Sequence, residues 1–214
     1  MKAKKAYQGN IIHVFNKSIA GFKIFSDFDN SQRFINALDY YNNINHPLPY
    51  SSFLKSEPDF FQENLLYDKE NSLIKFISYS IMPDHYHLLI KILQDNILSK
   101  YMSDVENSYS KFFNIKFERK GPLWQSNYQF VRIKTNEQLL HVNRYIHLNA
   151  TTSYLVEKPE DWKYSSYRFY IADSKYLEYT NEISIKTPAL YQKFTEDQKD
   201  YQRKLKLIKK LIFT

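Results

Sequence analysis

Two histidines stand two residues apart in the segment IMPDHYHLLI, residues 81–90, of a chain that contains six histidines in all. Alternate side chains of a β-strand point to the same face of a sheet, so His85 and His87 would project together from a strand here. Two neutral imidazoles placed side by side can bind one divalent metal ion. Alternatively, one histidine is hydrogen-bonded in the core and the other lies on the surface, and the spacing alone does not decide between these readings.

A second set of polar residues lies on a predicted helix, in the segment HVNRYIHLNA. His141, Tyr145 and Asn149 follow one another at intervals of four residues, which places them on one helix face. The Tyr145 hydroxyl and the Asn149 amide could therefore face a metal that the histidine pair binds. His147 lies about 200° around the helix from Tyr145 and is expected to point elsewhere. The alternative for Tyr145, one of 19 tyrosines, is an ordinary ring in the core.

The elements that would position these residues follow the order strand, helix, strand, strand, helix, strand, helix, which predicts an α+β fold with helices packed on a mostly antiparallel sheet. Thr135 and Gln138 form a T-x-x-Q capping box that begins the last helix, and Met82-Pro83-Asp84 predicts a tight turn. Three prolines in residues 43–66 indicate a long loop with a short helical piece. Strands are predicted at 11–19, 73–81, 85–92 and 128–133, and helices at 29–42, 97–117 and 135–149.

Composition restricts the chemistry further. The 214 residues suffice for one core, and the chain has no cysteine and only 3 glycines, which excludes disulfides, a thiolate metal site and a glycine-rich phosphate loop. The net charge of +7, with 19 tyrosines and 16 phenylalanines, favours a nucleic-acid partner, although an AT-rich genome produces similar compositions. We find neither a signal peptide nor an apolar run of membrane-spanning length, so we expect a cytoplasmic protein without a membrane partner.

The last residues, KDYQRKLKLIKKLI at 199–212, predict a basic amphipathic helix. Its apolar stripe is flanked by cations that could contact DNA phosphates: Arg203, Lys204, Lys206, Lys209 and Lys210. Lys2, Lys4 and Lys5 form a similar group at the other end of the chain. The alternative for both groups is a solvated surface, since runs of charge often have no binding role.

Several spaced motifs resemble those of one family. The HYH of MPDHYHLLI resembles the His-hydrophobe-His motif of single-tyrosine HUH transposases, within the IS200-like superfamily. LWQSNY at 123–128, YIHLNA at 145–150 and WKYSSY at 162–167 resemble landmarks of the branch called REP-associated tyrosine transposases. Residues 13–38 resemble the first strand and helix of that branch. The resemblance covers about residues 10–170, which suggests a transposase domain at 1–170 and a helical C-terminal extension at 171–214.

The resemblance implies a ferredoxin-like, or RRM-like, antiparallel sheet and a set of roles. It makes His85 and His87 metal ligands, Tyr145 the nucleophile and Asn149 a further metal ligand. Family members often continue with Asn-Pro where this chain has Asn149-Ala150, a difference that affects how the helix ends more than the chemistry. With Mg²⁺ or Mn²⁺ as cofactor, the implied activity is cleavage and rejoining of single-stranded DNA near hairpins, through a covalent 5′-phosphotyrosine.

Other aspects stay open at this stage. Trp124 and Tyr128 could stack on DNA bases or belong to the core. The chain could act as a monomer or a homodimer, with Tyr145 completing its own site or a partner's. Alternatives to the transposase are a domesticated protein that binds nucleic-acid hairpins without cutting, a hydrolase that uses metal-activated water, and a basic α+β domain with no active site.

Overall fold

The computed structural model describes residues 5–204. Four strands and seven α-helices lie wholly within this range, in the order β1 (Ile11–Lys17), α1 (Phe28–Tyr40), α2 (Tyr50–Ser56), β2 (Ile74–Met82), β3 (His85–Ile92), α3 (Leu98–Lys116), β4 (Gln129–Arg132), α4 (Asn136–Thr152), α5 (Tyr167–Ala172), α6 (Ser174–Tyr179) and α7 (Pro188–Glu196). Within this range, no helix is both long enough and apolar enough to cross a membrane.

The strands form one antiparallel sheet in the order β2-β3-β1-β4. With α1 between β1 and β2 and α3 between β3 and β4, this order is that of a ferredoxin-like fold, which confirms the predicted fold class. Strands β3 and β1 lie in the centre, so the two strands that carry histidines are hydrogen-bonded neighbours. The register places His87 opposite Phe15 and His85 opposite Lys17.

Alternation along β3 separates two faces of the sheet. Tyr86, Leu88 and Ile90 are fully buried on the face that α1 and α3 cover. Each such apolar side chain contributes about 1.5–3 kcal/mol of stability by leaving water. The other face carries His85 and His87 and is covered by α4, which packs against β2 and β3. The helix with the predicted nucleophile therefore lies on the same face as the histidine pair.

The β2–β3 turn is held by the segment that follows β1. Pro83 and Asp84 form the two-residue turn, and Met82 pairs with His85 at its base. The backbone N–H of Ser18 donates to the carbonyl of Asp84 at 2.8 Å, and that of Phe25 to the carbonyl of Pro83 at 2.9 Å. These bonds fix the turn from which His85 projects.

Helix α4 begins at the predicted cap. The Thr135 side chain accepts a hydrogen bond from the backbone N–H of Gln138, as the capping box requires. The Gln138 side-chain oxygen accepts from the backbone N–H of Lys134 instead of from that of Thr135. The helix continues to Thr152, three residues beyond the predicted end.

The segment after residue 170 packs against α4. The Tyr191 hydroxyl of α7 lies 2.8 Å from Asn143 Nδ2 and 2.6 Å from His147 Nδ1, and all three residues are buried. The division of the chain at residue 170 stays a prediction.

The predicted basic helix at the end of the chain is described only in part. Residues 199–204 are helical. The remainder of that helix, including Lys206, Lys209 and Lys210, lies outside the described residues, as do Lys2 and Lys4.

Candidate active site

The two predicted metal-binding histidines lie side by side. The ring centroids of His85 and His87 are 5.0 Å apart and their planes are nearly perpendicular, at 87°. His87 is 7% exposed, whereas the His85 side chain is 26% exposed. One ring is therefore enclosed by the protein and the other lies towards solvent, on a face that a DNA strand could approach.

Asp84 orients His85. Its Oδ1 lies 2.6 Å from His85 Nδ1, and its Oδ2 lies 3.3 Å from Lys17 Nζ. Partial burial would raise the pKa of Asp84, but the hydrogen bond and charge of His85 and the charge of Lys17 outweigh this and hold it below its usual value. An ionised carboxylate only accepts hydrogen bonds, so in the neutral form of His85, the form that can bind a metal, the proton lies on Nδ1 and the lone pair on Nε2. This carboxylate–histidine arrangement is the one that commonly supports metal-binding histidines.

His87 is oriented by a histidine that the sequence analysis had not assigned to the site. His13 of β1 is 9% exposed, and its Nε2 lies 2.9 Å from His87 Nδ1. The Phe15 ring packs beside both, with centroids 5.1 Å from His13 and 6.1 Å from His87. Burial lowers the pKa of His13 to about 4, so its ring is neutral at pH 7.

Tyr145 completes the group. Its ring centroid lies 5.4 Å from that of His87 and 6.3 Å from that of His13, both edge-on. Tyr145 is 42% exposed, and the partial burial of its phenol raises its pKa above the usual value near 10. The histidine pair and the tyrosine of a single chain thus meet on one sheet face, so the site can assemble within one chain.

Asn149 lies one turn beyond Tyr145 on α4 and is 3% exposed. Its side-chain Nδ2 is buried and has no hydrogen-bond partner among residues 5–204. Amide nitrogen and oxygen are assigned from their surroundings, so a rotated amide would present an unpaired oxygen at the same point. Such an orphaned polar group suits an additional ligand, and an amide oxygen is a donor that divalent cations such as Mg²⁺ and Ca²⁺ accept.

No cluster of three His, Cys, Asp or Glu side chains is placed to bind one metal among the described residues. The predicted set of His85, His87 and Asn149 differs from such a cluster because its third donor is an amide. Other histidines of α4 lie apart from this set. His141 is exposed and contacts Arg144 through its Nδ1 at 2.8 Å, while His147 is buried between Tyr191 and Ser166. His147 therefore points away from the site, as its helical angle predicted.

The predicted DNA-binding side chains have mixed surroundings. Trp124 packs among core rings, including Phe25 and Tyr86, and its indole N–H donates to the backbone carbonyl of Glu106, which favours the core alternative. Arg203 donates to the carbonyl of Thr151 at 3.1 Å and its side chain is only 14% exposed. These two residues are therefore already engaged in holding the fold.

Tyr128 and Lys204 remain candidates for contact with DNA. Tyr128 is partly exposed, and its hydroxyl lies 3.2 Å from that of Ser99 at the surface. Lys204 is exposed at the end of the described chain. Beside the site itself, Lys17 is 53% exposed and lies opposite His85, so a cation is present on the same face.

Known proteins resemble this chain in one segment of its sequence and in its fold. Residues 55–149 match the family model described as "Transposase IS200 like", a range that contains His85, His87, Tyr145 and Asn149. A comparison with curated proteins finds no significant match. Among solved structures, a REP-associated tyrosine transposase bound to a REP hairpin superposes with a TM-score of 0.57 at 12% identity, covering 80% of this chain and 86% of that one. At this identity the likeness concerns the fold.

Two other solved structures match less closely. A proposed transposase from Deinococcus radiodurans gives a TM-score of 0.36 at 12% identity, covering 68% of this chain and 95% of that one. A tRNA(His) guanylyltransferase from Saccharomyces cerevisiae gives a TM-score of 0.37 at 9% identity, covering 90% of this chain and 80% of that one. These scores are too low to bear on the fold or function. Residues 55–149 thus resemble the IS200-like transposases in sequence, and the fold brings two histidines and a tyrosine of that segment together.

Proposed function

We propose that this chain is a transposase of the REP-associated type, which cleaves and rejoins single-stranded DNA near hairpins through a covalent bond between Tyr145 and a DNA 5′-phosphate. The observation that carries the proposal is the contact between Tyr145 and His87, whose ring centroids are 5.4 Å apart although the residues lie on different elements. A nucleophile beside a pair of candidate metal ligands is the arrangement that phosphodiester cleavage by a tyrosine requires.

A divalent cation would be held by His85, His87 and Asn149 and would supply Lewis-acid polarisation of the scissile phosphate. An oxygen donor and phosphate chemistry favour Mg²⁺ or Mn²⁺ over zinc at such a site. Asp84 keeps the His85 ring in the tautomer that leaves Nε2 unprotonated, as its 2.6 Å hydrogen bond to Nδ1 indicates. The protein therefore contributes two oriented rings and one amide to binding.

In the proposed reaction, the Tyr145 phenol oxygen attacks the phosphorus atom and the bond from phosphorus to the 3′-oxygen breaks. The phenol loses its proton to solvent, and the departing 3′-oxygen gains one to become a free 3′-hydroxyl. The 5′-phosphate remains on Tyr145 as a phosphodiester. Attack by a 3′-hydroxyl in the reverse direction rejoins DNA and releases the tyrosine, so no nucleotide cofactor is consumed.

The surroundings of Tyr145 support a nucleophile that is inactive until DNA binds. Its pKa lies above the usual value because the phenol is partly buried, so it is protonated at pH 7. Its 42% exposure leaves room for a phosphate to approach the hydroxyl. Deprotonation thus has to accompany the attack.

A hairpin-bearing single strand is the proposed partner, a monomer the proposed form and the cytoplasm the proposed location. The structurally similar transposase was solved with a REP hairpin. The net charge of +7 and the exposed Lys17 beside the site suit a DNA phosphate backbone. The contact of Tyr145 with histidines of its own chain supports cleavage in cis.

The test is covalent trapping. The protein is incubated with labelled single-stranded DNA that carries hairpins from the flanks of its own gene, with Mg²⁺ or Mn²⁺, and run on a denaturing gel. We expect a slow, protease-sensitive band that disappears with EDTA and in Tyr145→Phe. Tyr154→Phe is the matched control, because Tyr154 is another exposed tyrosine, 55% exposed and nine residues after Tyr145, that has no role in the proposed site. This variant should keep the band.

Two results would overturn the proposal. A native gel shift across several hairpins with no covalent band would indicate a protein that binds hairpins without cutting them. Cleavage that survives Tyr145→Phe would indicate water or another tyrosine as the nucleophile, and so a different mechanism.

A further inference from the structure

The buried contact between His13 and His87 links the proton positions of two rings. It joins His13 Nε2 to His87 Nδ1 at 2.9 Å. In such a pair one nitrogen carries the proton and the other accepts it, because a neutral imidazole has one donor and one acceptor nitrogen. The direction of this single bond therefore decides which nitrogen of His87 is protonated.

The direction matters for a metal ligand, because only an unprotonated ring nitrogen can coordinate a metal. If His87 Nδ1 donates, the lone pair of His87 lies on Nε2. If His13 donates, the proton of a neutral His87 lies on Nε2 instead. At His85 the position of the proton is fixed by the Asp84 carboxylate, which can only accept a hydrogen bond and so keeps the proton of the neutral ring on Nδ1.

We propose that His13 is a positioning residue that accepts the Nδ1 proton of His87 and thereby holds His87 in the tautomer whose Nε2 can coordinate a divalent metal. The inference rests on the proposed function in one respect, that His87 is a metal ligand. His13 itself is not a ligand in this arrangement, because its Nε2 accepts the proton of His87 and its Nδ1 carries its own proton. The metal-binding pair would then have two different supports, a carboxylate for His85 and an imidazole for His87.

The packing around these rings supports a fixed geometry. His13 and His87 are 9% and 7% exposed, and they lie on adjacent central strands of the sheet. Phe15 stands opposite His87 in the register, while His13 stands opposite Leu89, so the two histidines meet diagonally. Tyr145 closes the group with its ring edge-on to both. Rings enclosed in this way keep their orientation before any metal arrives.

The first test needs neither DNA nor metal. A long-range ¹H–¹⁵N correlation spectrum of the metal-free, full-length protein at about neutral pH reports which nitrogen of each imidazole carries the proton. We expect His87 to be protonated on Nδ1 and unprotonated on Nε2. A proton on His87 Nε2 would overturn the inference.

The second test measures Mn²⁺ affinity by titration. His13→Phe keeps a ring but removes the acceptor, and we expect Mn²⁺ binding to weaken by about tenfold to a hundredfold, the usual effect of losing the partner of a metal-binding histidine. His13→Gln offers an amide oxygen as acceptor and should restore part of the affinity. Phe15→Leu disturbs the packing without touching a hydrogen bond and should bind Mn²⁺ almost as the wild type does.

Unchanged Mn²⁺ affinity in His13→Phe, or an equal loss in Phe15→Leu, would overturn the inference. If His13→Phe does not fold, the wild-type spectrum and His13→Gln decide. The covalent-trapping assay separates the two proposals. A trapped band together with a proton on His87 Nε2 refutes only the role of His13. No band, together with an Nδ1 proton and Mn²⁺ binding, refutes only the cleavage.

Discussion

His147 should make the protein sensitive to acid. It is a residue of α4 and only 1% exposed, and its two nitrogens lie 2.6 Å from the Tyr191 hydroxyl and 2.7 Å from the Ser166 hydroxyl. Burial lowers its pKa to about 3 from 6.5. The folded state therefore keeps this ring neutral over a pH range in which the unfolded chain protonates it.

The magnitude follows from proton linkage. The pKa of His147 is about 3 in the folded protein and 6.5 in the unfolded chain. Its contribution to stability is therefore fully present above pH 6.5 and is lost as the pH falls from 6.5 towards 3. One pKa unit corresponds to about 1.4 kcal/mol, so lowering the pH from about 7.5 to about 4.5 should cost about 3 kcal/mol through His147. The folded pKa lies below the lower end of this range, so the ring stays neutral in the folded protein throughout it.

The assay is urea unfolding of the wild type and His147→Gln at both pH values. We expect the free energy of unfolding to fall by about 3 kcal/mol more in the wild type than in His147→Gln, because carboxylates and His13 contribute equally to both. His141→Gln removes an exposed histidine and should show the wild-type pH dependence. Equal pH dependence in the wild type and His147→Gln would refute the reasoning, since it would mean that His147 is accessible to protons in the folded state.

Three further predictions concern the site and its support. Asp84→Asn should weaken Mn²⁺ binding by about tenfold to a hundredfold, because the carboxylate that orients His85 is lost; titration measures this. Asn149→Ala should abolish the trapped band while changing the free energy of unfolding by less than about 1 kcal/mol, since the side-chain nitrogen has no described partner to lose. Tyr191→Phe should lower the free energy of unfolding by about 1–3 kcal/mol, because two buried polar partners lose their hydroxyl.

Local patterns predicted the elements well where one strong signal was present. The strand His85–Ile92 has the predicted bounds, because the Pro83-Asp84 turn fixes where it begins and the apolar alternation fixes its faces. The start of α4 follows from the cap at Thr135. The family resemblance supplied the roles of the site residues, which the spacing of two histidines alone could not have assigned.

The missing part of the site came from tertiary pairing. His13 lies 74 residues from His87 in the sequence, and it reaches that ring only because β1 inserts beside β3 in the sheet. Alternation along β1 directs His13, Phe15 and Lys17 to one face, but which strand lies next to β1 is a property of the whole topology. Asp84 was assigned to the turn, and its second role as a partner of His85 depends on side-chain direction that spacing does not specify.

The proposed nucleophile and the proposed metal-binding pair belong to different layers of the molecule, and this separation has a consequence. His85 and His87 are fixed by strands in the ferredoxin-like sheet, whereas Tyr145 is placed by α4, whose outer side is held by Tyr191 of α7. Changes at the α4–α7 contact can therefore move the phenol relative to the imidazoles without disturbing the imidazoles. The segment after residue 170 would then govern how readily the tyrosine attacks, while metal affinity would depend on the sheet, through Asp84 and His13.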